Sequence, residues 1–349
     1  MTKIDIISGF LGAGKTTLIK KLLANALKGQ QVVLIENEFG EIGIDGGFLK
    51  EAGIEIKEMN SGCICCSLVG DFGTALTDVI EKYHPDRIII EPSGVGKLSD
   101  VIHAVEGVSV GAEVELNCAT TVVDVNKCKM YLRNFGEFFK NQVQAASTII
   151  LSRTDTDKAT EEKIEDALKV LRELNPDATI ITTPVEELDG KKLLDTMEGV
   201  KIDLSHVEEE QDHDHHDHHH EEDCGCHHDH HHEHDDDCTC GCHDHDHEHH
   251  DHHHHADEVF TSWGRETIKK FDENQIRTIL NDLSENENFG VVLRAKGMVE
   301  GKNGQWIYFD MVPGEADVRE GSPEYTGRIC VIGSKLAEDK LEEVFGLLL

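Results

Sequence analysis

The amino-acid sequence predicts an α/β fold with a doubly wound, mostly parallel sheet, and three observations carry this prediction. Short apolar runs alternate with segments of helical periodicity up to about residue 204. Continuous apolar strands, rather than alternating ones, are typical of a parallel sheet covered on both faces. The composition then changes near residue 205, and a second set of short strands and helices follows residue 257.

The first strand and the first helix are joined by a glycine-rich turn. Residues 3–8 form an apolar run typical of a buried strand, and residues 17–27 have helical apolar spacing. Between them, Gly9 to Thr16 fits G-x-x-x-x-G-K-[ST], the phosphate loop of P-loop NTPases. The glycines let backbone N–H groups surround a phosphate, and the helix N-terminus adds its positive dipole end. An ordinary tight turn is the alternative, but the flanking strand and helix favour a nucleoside-triphosphate site.

Within this loop the residues have distinct expected roles. Lys15 is expected to contact the β- and γ-phosphates, and the Thr16 hydroxyl to bind Mg²⁺. The predicted phosphate contacts are Gly9, Gly12, Ala13, Gly14, Lys15, Thr16 and Thr17.

Further strands are predicted over residues 31–36, 54–58, 87–91, 119–125, 148–151 and 178–182. Helical spacing follows Leu68 and runs to Tyr83, and further helices are predicted over 127–146, 160–174 and 187–197. The ligand of a doubly wound sheet binds at the carboxyl ends of its strands. The phosphate loop, Glu36 to Glu41, the first cysteines and Glu91 all follow strand ends, so we expect them on one rim. The last part predicts a small α+β domain, with strands over 259–263, 290–295, 305–311, 317–319 and 328–333 and helices over 266–283 and 338–345.

Charge and hydropathy disfavour nucleic-acid binding and membrane association. The net charge is −36, and residues 208–258 contain 20 of the 69 acidic residues and no Lys or Arg. This acidity disfavours nucleic acid and anionic membranes as partners. No apolar run approaches the ~20 residues of a membrane span. The chain enters a strand directly, without a basic and apolar signal segment, so we expect a cytoplasmic protein.

Three clustered cysteines, Cys63, Cys65 and Cys66, predict a metal site. Clustered cysteines accompanied by histidines favour metal or redox chemistry over disulfides. So short a segment cannot easily supply four tetrahedral ligands, and a donor such as Glu36 or Glu41, or a water, would complete the shell. Such an incomplete shell suits Zn²⁺ or another borderline metal that must be released. Buried thiols or a redox pair are the alternatives, whereas the isolated Cys118, Cys128 and Cys330 are expected to fill cores.

Four motifs in this order resemble the CobW-type GTPase family of metallochaperones, which is related to the GTPases that mature hydrogenase and urease. They are Gly9–Thr16, Glu36–Glu41, Gly62–Cys66 and Glu91–Gly94. The resemblance covers residues 1 to about 200, and the later segments are similar to the linker and C-terminal domain of such proteins.

The resemblance implies roles for several of these residues. Glu36, Glu41 and the three cysteines would lie near the metal, and GTP binding and hydrolysis would switch metal affinity. Glu91 would be the Walker-B-like acid and Gly94 the γ-phosphate sensor, which completes a catalytic set with Lys15 and Thr16. The expected catalytic residues are therefore Lys15, Thr16, Glu91 and Gly94.

The guanine-reading loop of the family, [NT]-K-x-D, has the altered counterpart Ser152-Arg153-Thr154-Asp155. Asp155 can accept hydrogen bonds from guanine, and Arg153 can lie over the base with its stem and planar head. GTP is favoured over ATP, although the altered loop leaves base selectivity open.

A histidine-rich tract predicts a second metal-binding region. Between His213 and His255 the chain has 21 of its 24 histidines. The tract also contains Cys224, Cys226, Cys238, Cys240 and Cys242. Imidazole and thiolate are preferred ligands of Zn²⁺, Ni²⁺ and Co²⁺. The alternative is a solvated charged linker, and either way the tract cannot bury a core and should be disordered without a ligand.

Three domains follow from these patterns: a P-loop GTPase domain over residues 1–204, the metal-binding linker over 205–257 and a CobW-like C-terminal domain over 258–349. The leading hypothesis is a GTP-hydrolysing metallochaperone that binds Zn²⁺, or Co²⁺ or Ni²⁺, and delivers it to a client metalloprotein. A metal store with a regulatory nucleotide domain is one alternative, and a GTPase dedicated to assembling one metal- or cobalamin-dependent enzyme is another. GTP and Mg²⁺ are the expected cofactors, and a nucleotide-dependent homodimer is left open.

Overall fold

A computed structural model of the chain describes residues 1–37, 55–59, 69–109, 114–205, 207 and 259–347. Met1–Val207 and His254–Leu349 form one compact unit, and the second unit, Glu208–His253, lies outside the described residues. The predicted boundary between residues 257 and 258 also lies outside them, so the three-domain division stays a prediction.

The N-terminal part of the described chain forms a parallel sheet. Its elements are β1 (Thr2–Gly9), α1 (Lys15–Asn25), β2 (Val32–Asn37), β3 (Glu55–Met59), α2 (Val69–Tyr83), β4 (Arg87–Glu91), α3 (Leu98–Ser109), β5 (Val114–Asp124), α4 (Cys128–Asn134), α5 (Gly136–Gln144), β6 (Thr148–Ser152), α6 (Glu161–Leu174), β7 (Thr179–Ile181) and α7 (Gly190–Glu198). The strand order among them is β3-β2-β4-β1-β5-β6-β7, with every neighbouring pair parallel.

Both faces of this sheet are buried, which confirms the doubly wound prediction. Ile88 and Ile90 of β4 belong to one apolar cluster, whereas Ile89 between them belongs to another. Side chains of a strand alternate between the two faces, so successive residues enter different cores. A strand buried on both faces needs apolar residues at every position, and this explains the continuous apolar runs in the sequence.

Two features of the helices differ from the sequence prediction. The helix predicted over residues 127–146 is two helices, α4 and α5, because Phe135 leaves the helical conformation at φ −139° and ψ 42°. Phe135 packs against Phe10 and Phe260, so tertiary packing overrides the helical periodicity at this point. The helix α3 has no counterpart in the prediction.

The C-terminal part of the described chain forms an antiparallel sheet. Its elements are β8 (Thr261–Thr267), α8 (Glu273–Glu285), β9 (Val291–Glu300), β10 (Trp306–Val312), β11 (Glu315–Gly321), β12 (Gly327–Ser334) and α9 (Glu338–Phe345). The strand order is β11-β10-β9-β12-β8, and all neighbours are antiparallel. Trp263 and Phe345 stack at 5.7 Å in the core of this sheet. The small α+β prediction is confirmed.

One helix boundary in this part was wrong. The sequence predicts a helix from Glu266, but Glu266 and Thr267 belong to β8 and pair with β12. The helix begins at Glu273, where the Asp272 side chain accepts a hydrogen bond from the Asn274 N–H. Strand pairing and this N-cap therefore decide the boundary, rather than periodicity.

The two sheets share buried contacts. Phe260, Leu293 of β9 and Ile332 of β12 belong to the same apolar cluster as Phe10 of the phosphate loop. The C-terminal sheet is therefore packed against the nucleotide-loop side of the N-terminal core. None of the helices among the described residues has the length and apolarity needed to cross a membrane.

Candidate nucleotide site

The glycine-rich turn between β1 and α1 encloses the ammonium group of Lys15. Lys15 Nζ donates to the carbonyl oxygens of Gly9 at 3.0 Å and of Phe10 at 3.5 Å. The helix α1 begins at Lys15, and Gly14 before it provides no side-chain cap. The first turn contains no acidic residue either. Because no side chain caps its amides, this helix N-terminus is suited to bind an anion such as phosphate.

Thr16 and Glu91 meet beside this loop. The Thr16 hydroxyl lies 3.4 Å from Oε1 and 3.5 Å from Oε2 of Glu91, and it donates to that carboxylate. Lys15 Nζ is 3.9 Å from Glu91 Oε1. Hydroxyl and carboxylate oxygens are ligands that Mg²⁺ prefers, so this pair fits such an ion. Thr16 and Glu91 would hold it.

The turn after β4 lies directly against the phosphate loop. A Cβ built on Gly94 would lie 2.8 Å from the Leu11 backbone nitrogen, so only glycine fits this close approach. Gln142 of α5 donates through Nε2 to the carbonyl oxygens of Gly94 at 3.2 Å and Gly96 at 2.8 Å. The turn is therefore held between the phosphate loop and a buried glutamine. The sequence prediction missed Gln142, whose only signal was an amide within an amphipathic helical pattern.

An aromatic cluster supports the outer side of the phosphate loop. The Phe10 ring lies 4.2 Å from Tyr131 and 5.6 Å from Phe135, measured between ring centroids. The Tyr131 hydroxyl donates to the Leu11 carbonyl oxygen at 3.2 Å. Burial raises the pKa of Tyr131 well above its usual value, so the hydroxyl keeps its proton and remains a donor. The sequence analysis did not single out these aromatic residues.

The end of β6 and the loop after it contact the phosphate loop from the other side. The buried Ser152 hydroxyl donates to the Ala13 carbonyl oxygen at 2.7 Å, and the Val123 carbonyl oxygen lies 3.3 Å from the same hydroxyl. Arg153 Nη2 donates to the Gly12 carbonyl oxygen at 3.0 Å. Asp155 is exposed. The predicted base-reading segment therefore lies next to the phosphate loop, with Asp155 turned to solvent.

The strand register brings one predicted metal ligand to the nucleotide side of the sheet. Glu36 of β2 is the direct neighbour of Glu91 of β4 in the parallel pairing, and its side chain is buried. The next strand, β3, places Glu58 on the other side of Glu36. Glu36 therefore stands one strand away from the acid that Thr16 contacts.

Comparison with known protein families decides the assignment. A model described as the CobW/HypB/UreG nucleotide-binding domain matches residues 3–182, more than half of the chain. The chain belongs to the CobW/HypB/UreG family. A second model, described as the cobalamin synthesis protein cobW C-terminal domain, matches residues 260–349. The resemblance seen in the sequence motifs is thereby confirmed.

Individual members of the family are similar in sequence to part of this chain. The zinc chaperone CobW of Sinorhizobium sp is 38% identical over 43% of this chain and 50% of its own. The zinc chaperone YeiR of Escherichia coli strain K12 is 30% identical over 55% and 58%. The Zn(II)-bound YjiA GTPase from E. coli covers 100% of this chain and 99% of its own at 20% identity and a TM-score of 0.43. This chain thus spans about half the length of the curated relatives it matches.

Most predicted metal ligands of this CobW/HypB/UreG chain lie outside the described residues. They are Glu41, Cys63, Cys65, Cys66, Cys224, Cys226, Cys238, Cys240 and Cys242. Within the part of the chain that the structure describes, no three His, Cys, Asp or Glu side chains group as metal ligands. Cys118, Cys128 and Cys330 are buried cysteines, as predicted for core filling. Burial raises the pKa of Cys128 to about 12, which makes it inert.

Proposed function

We propose that this protein is a GTP-hydrolysing metallochaperone that binds Zn²⁺ and delivers it to a client metalloprotein under nucleotide control. The observation that carries the proposal is the register between β2 and β4, which makes Glu36 the neighbour of Glu91. Glu36, a proposed zinc ligand, and Glu91, a proposed Mg²⁺ ligand, thus lie at the carboxyl ends of adjacent strands. Relatives named zinc chaperone, and one in Dictyostelium discoideum named zinc-regulated GTPase metalloprotein activator 1, favour zinc as the cargo.

The hydrolysis step uses positioning and charge. Lys15 and the first-turn amides of α1 bind the phosphates and neutralise the charge that develops as water attacks the γ-phosphorus. Mg²⁺, when bound by Thr16 and Glu91, supplies further positive charge to the phosphate oxygens. The Gly94 turn is the proposed γ-phosphate sensor, and its close approach to Leu11 of the phosphate loop supports this role. The buried Gln142 amide binds carbonyl groups of that turn, so it does not orient the water, and slow intrinsic turnover is expected.

The coupling to zinc follows from chain connectivity. Met59 ends β3, the neighbour of β2, and Cys63 follows four residues later in the sequence. The thiolates of Cys63, Cys65 and Cys66, completed by Glu36 or Glu41, form the proposed tight zinc site. Loss of the γ-phosphate relaxes the turn that follows β4, and through Glu36, the neighbour of Glu91, this changes the affinity for zinc.

The nucleotide part of the proposal is tested by GTP hydrolysis. The purified protein is expected to hydrolyse GTP in preference to ATP, and Lys15→Ala is expected to abolish hydrolysis. Lys21→Ala is the matched control, because Lys21 lies in the same helix and its side chain contacts the Glu186 carbonyl oxygen. Unchanged hydrolysis in Lys15→Ala would refute the assignment.

The metal part is tested by calorimetric zinc titration with and without a non-hydrolysable GTP analogue. Cys65→Ser is expected to remove a tight, nucleotide-sensitive site and to leave weaker sites. Cys118→Ala is the control, because burial raises the pKa of that thiol and keeps it protonated. Equal zinc affinity with and without the analogue would contradict the coupling. If deletion of residues 205–257 removes nearly all bound zinc, and the analogue has no effect on the remainder, metal storage becomes the better explanation.

A further inference from the structure

We propose that the β10–β11 hairpin of the C-terminal sheet forms a wall of the nucleotide site, with Glu315 as the positioning residue for Arg153. The proposal rests on the proposed GTP site at the phosphate loop, but it does not depend on zinc. It assigns part of the nucleotide affinity to a residue of the C-terminal sheet.

The hairpin has a defined tip. β10 ends at Val312 and β11 begins at Glu315, and these two residues pair in register. Pro313 and Gly314 form the two-residue connection, and Gly314 has φ +83°, as the third position of a type II turn requires. The Gly314 N–H donates to Ser284 Oγ of α8 at 2.9 Å. Since the tip is hydrogen-bonded to a helix of its own sheet, the position of Glu315 is fixed.

The same tip touches the phosphate loop. Val312 is buried, and a Cβ built on Gly12 would lie 2.5 Å from Val312 Cγ1. Gly12 therefore cannot carry a side chain while the hairpin is in place, in addition to its φ of +67°. Lys158, in the segment after β6, donates to the Gly314 carbonyl oxygen at 3.0 Å. The hairpin thus contacts both loops that the sequence predicts to surround the nucleotide.

Arg153 is the residue on which these contacts converge. Its guanidinium forms an ion pair with Glu315, donates to the Gly12 carbonyl oxygen at 3.0 Å and lies 3.3 Å from Asp124 Oδ2. Its backbone has φ +59°, a region that a non-glycine residue occupies only when its surroundings hold it there. Glu315 provides one of three anchors for the guanidinium, and the phosphate loop and β5 provide the others.

The consequence is preorganisation of the base end of the site. When the guanidinium of Arg153 is held by its three anchors, the aliphatic stem of the side chain stays in one place, where it can lie over a nucleotide base. Because the Arg153 side chain is ordered before the nucleotide binds, less side-chain entropy is lost on binding. Since the contact is with the base and not with the γ-phosphate, Glu315 affects GDP and GTP alike.

The test is a titration of the full-length protein with GDP and with a non-hydrolysable GTP analogue, in zinc-free buffer. Glu315→Gln is expected to raise both Kd values about threefold, the size expected from a partly exposed ion pair. Glu315→Lys places a cation beside Arg153 and is expected to raise both Kd values further. Glu320→Gln and Glu320→Lys, on the exposed far part of the same strand, are the matched controls and should bind like the wild type.

A thermodynamic cycle with Arg153→Ala separates positioning from a general effect on the fold. In the Arg153→Ala background, Glu315→Gln is expected to have no further effect on either Kd. Unchanged or tighter binding by Glu315→Gln, an effect on the GTP analogue alone, or an equal effect with and without Arg153 would each overturn the proposal. If the wild-type protein binds no guanine nucleotide, the proposed function fails and this inference fails with it.

Discussion

The Ser152 hydroxyl donates a 2.7 Å hydrogen bond to the Ala13 carbonyl oxygen and so joins the end of β6 to the phosphate loop. The serine stands where the family motif has Asn or Thr, and its side chain is buried. The short serine side chain reaches the phosphate loop because the loop backbone passes close to it. A Cβ built on Gly14 would lie 3.8 Å from the Ser152 Cβ. The altered motif thus retains a contact that braces the loop.

Ser152→Ala is expected to weaken guanine-nucleotide binding and to lower the free energy of unfolding by about 1–2 kcal/mol, because a buried carbonyl loses its partner. Nucleotide titration and urea unfolding measure the two effects. Ser147→Ala is the matched control, since that buried hydroxyl binds the Ala119 carbonyl oxygen at 3.0 Å near the opposite end of β6. The control should lose stability but keep its nucleotide affinity, and equal affinity losses in both variants would contradict the bracing role.

Gln142→Met is expected to slow GTP hydrolysis about tenfold and to leave GDP affinity unchanged. The substitution keeps the side-chain volume but removes both hydrogen bonds to the Gly94 turn, which therefore loses its fixed position near the γ-phosphate. Single-turnover hydrolysis and GDP titration separate the two effects. Gln144→Met, in the same helix, is the control and should hydrolyse GTP normally. Normal hydrolysis by Gln142→Met would show that the turn is held by other contacts.

Arg87→Met is expected to lower the free energy of unfolding by about 3–5 kcal/mol, because it leaves the buried Asp5 carboxylate without its ion pair. Arg87 pairs with Asp5 and with Glu198, the latter at 2.6 Å, and both Arg87 and Asp5 are buried. Adding Asp5→Leu should recover much of the loss, since the unpaired charge is then gone. Arg265→Met, which removes a half-exposed pair, should cost less than about 1 kcal/mol.

The nucleotide affinity of Arg87→Met should equal that of the wild type. Arg87 begins β4, at the opposite end of the strand from Glu91. An Arg87→Met protein that is folded in the absence of urea but binds GDP poorly would contradict this separation of stability from function.

In the nucleotide-free protein, the contribution of Lys127 to the free energy of unfolding is expected to grow as the pH rises from about 8 to about 10.4. Burial lowers the pKa of Lys127 to about 8, against a usual value near ~10.4. Between these values the unfolded chain holds a proton that the folded chain has lost, so rising pH favours folding. The gain is at most about 3 kcal/mol, at 1.36 kcal/mol per pKa unit.

Relative to Lys127→Met, the wild type should therefore gain stability over this pH range, whereas Lys129→Met, whose side chain is largely exposed in the same region, should keep the wild-type profile. The measurement is the free energy of unfolding in urea at intervals between pH 7 and 10.5. Identical pH profiles for the wild type and Lys127→Met would contradict the low pKa.

The strand–loop–helix unit of the phosphate loop was predictable because its signals are local. The apolar run of β1, the glycines and the helical spacing of α1 lie within 30 residues of the N-terminus. The helix break at Phe135 was not predictable in this way, because it depends on packing against Phe10 and Phe260. The roles of Gln142 and Tyr131 were hidden for the same reason, since each acts on a carbonyl group distant in sequence.

The sequence by itself determined the succession of strands along the chain and the rim on which Lys15, Glu36 and Glu91 gather. Parallel strands end together at one edge, so residues that follow several strands must lie near one another. Only the tertiary structure decided that Gln142 holds the Gly94 turn and that Glu315 reaches Arg153. Spacing along a chain fixes periodicity and strand ends, whereas contacts between distant segments depend on how whole surfaces pack, which no local pattern records.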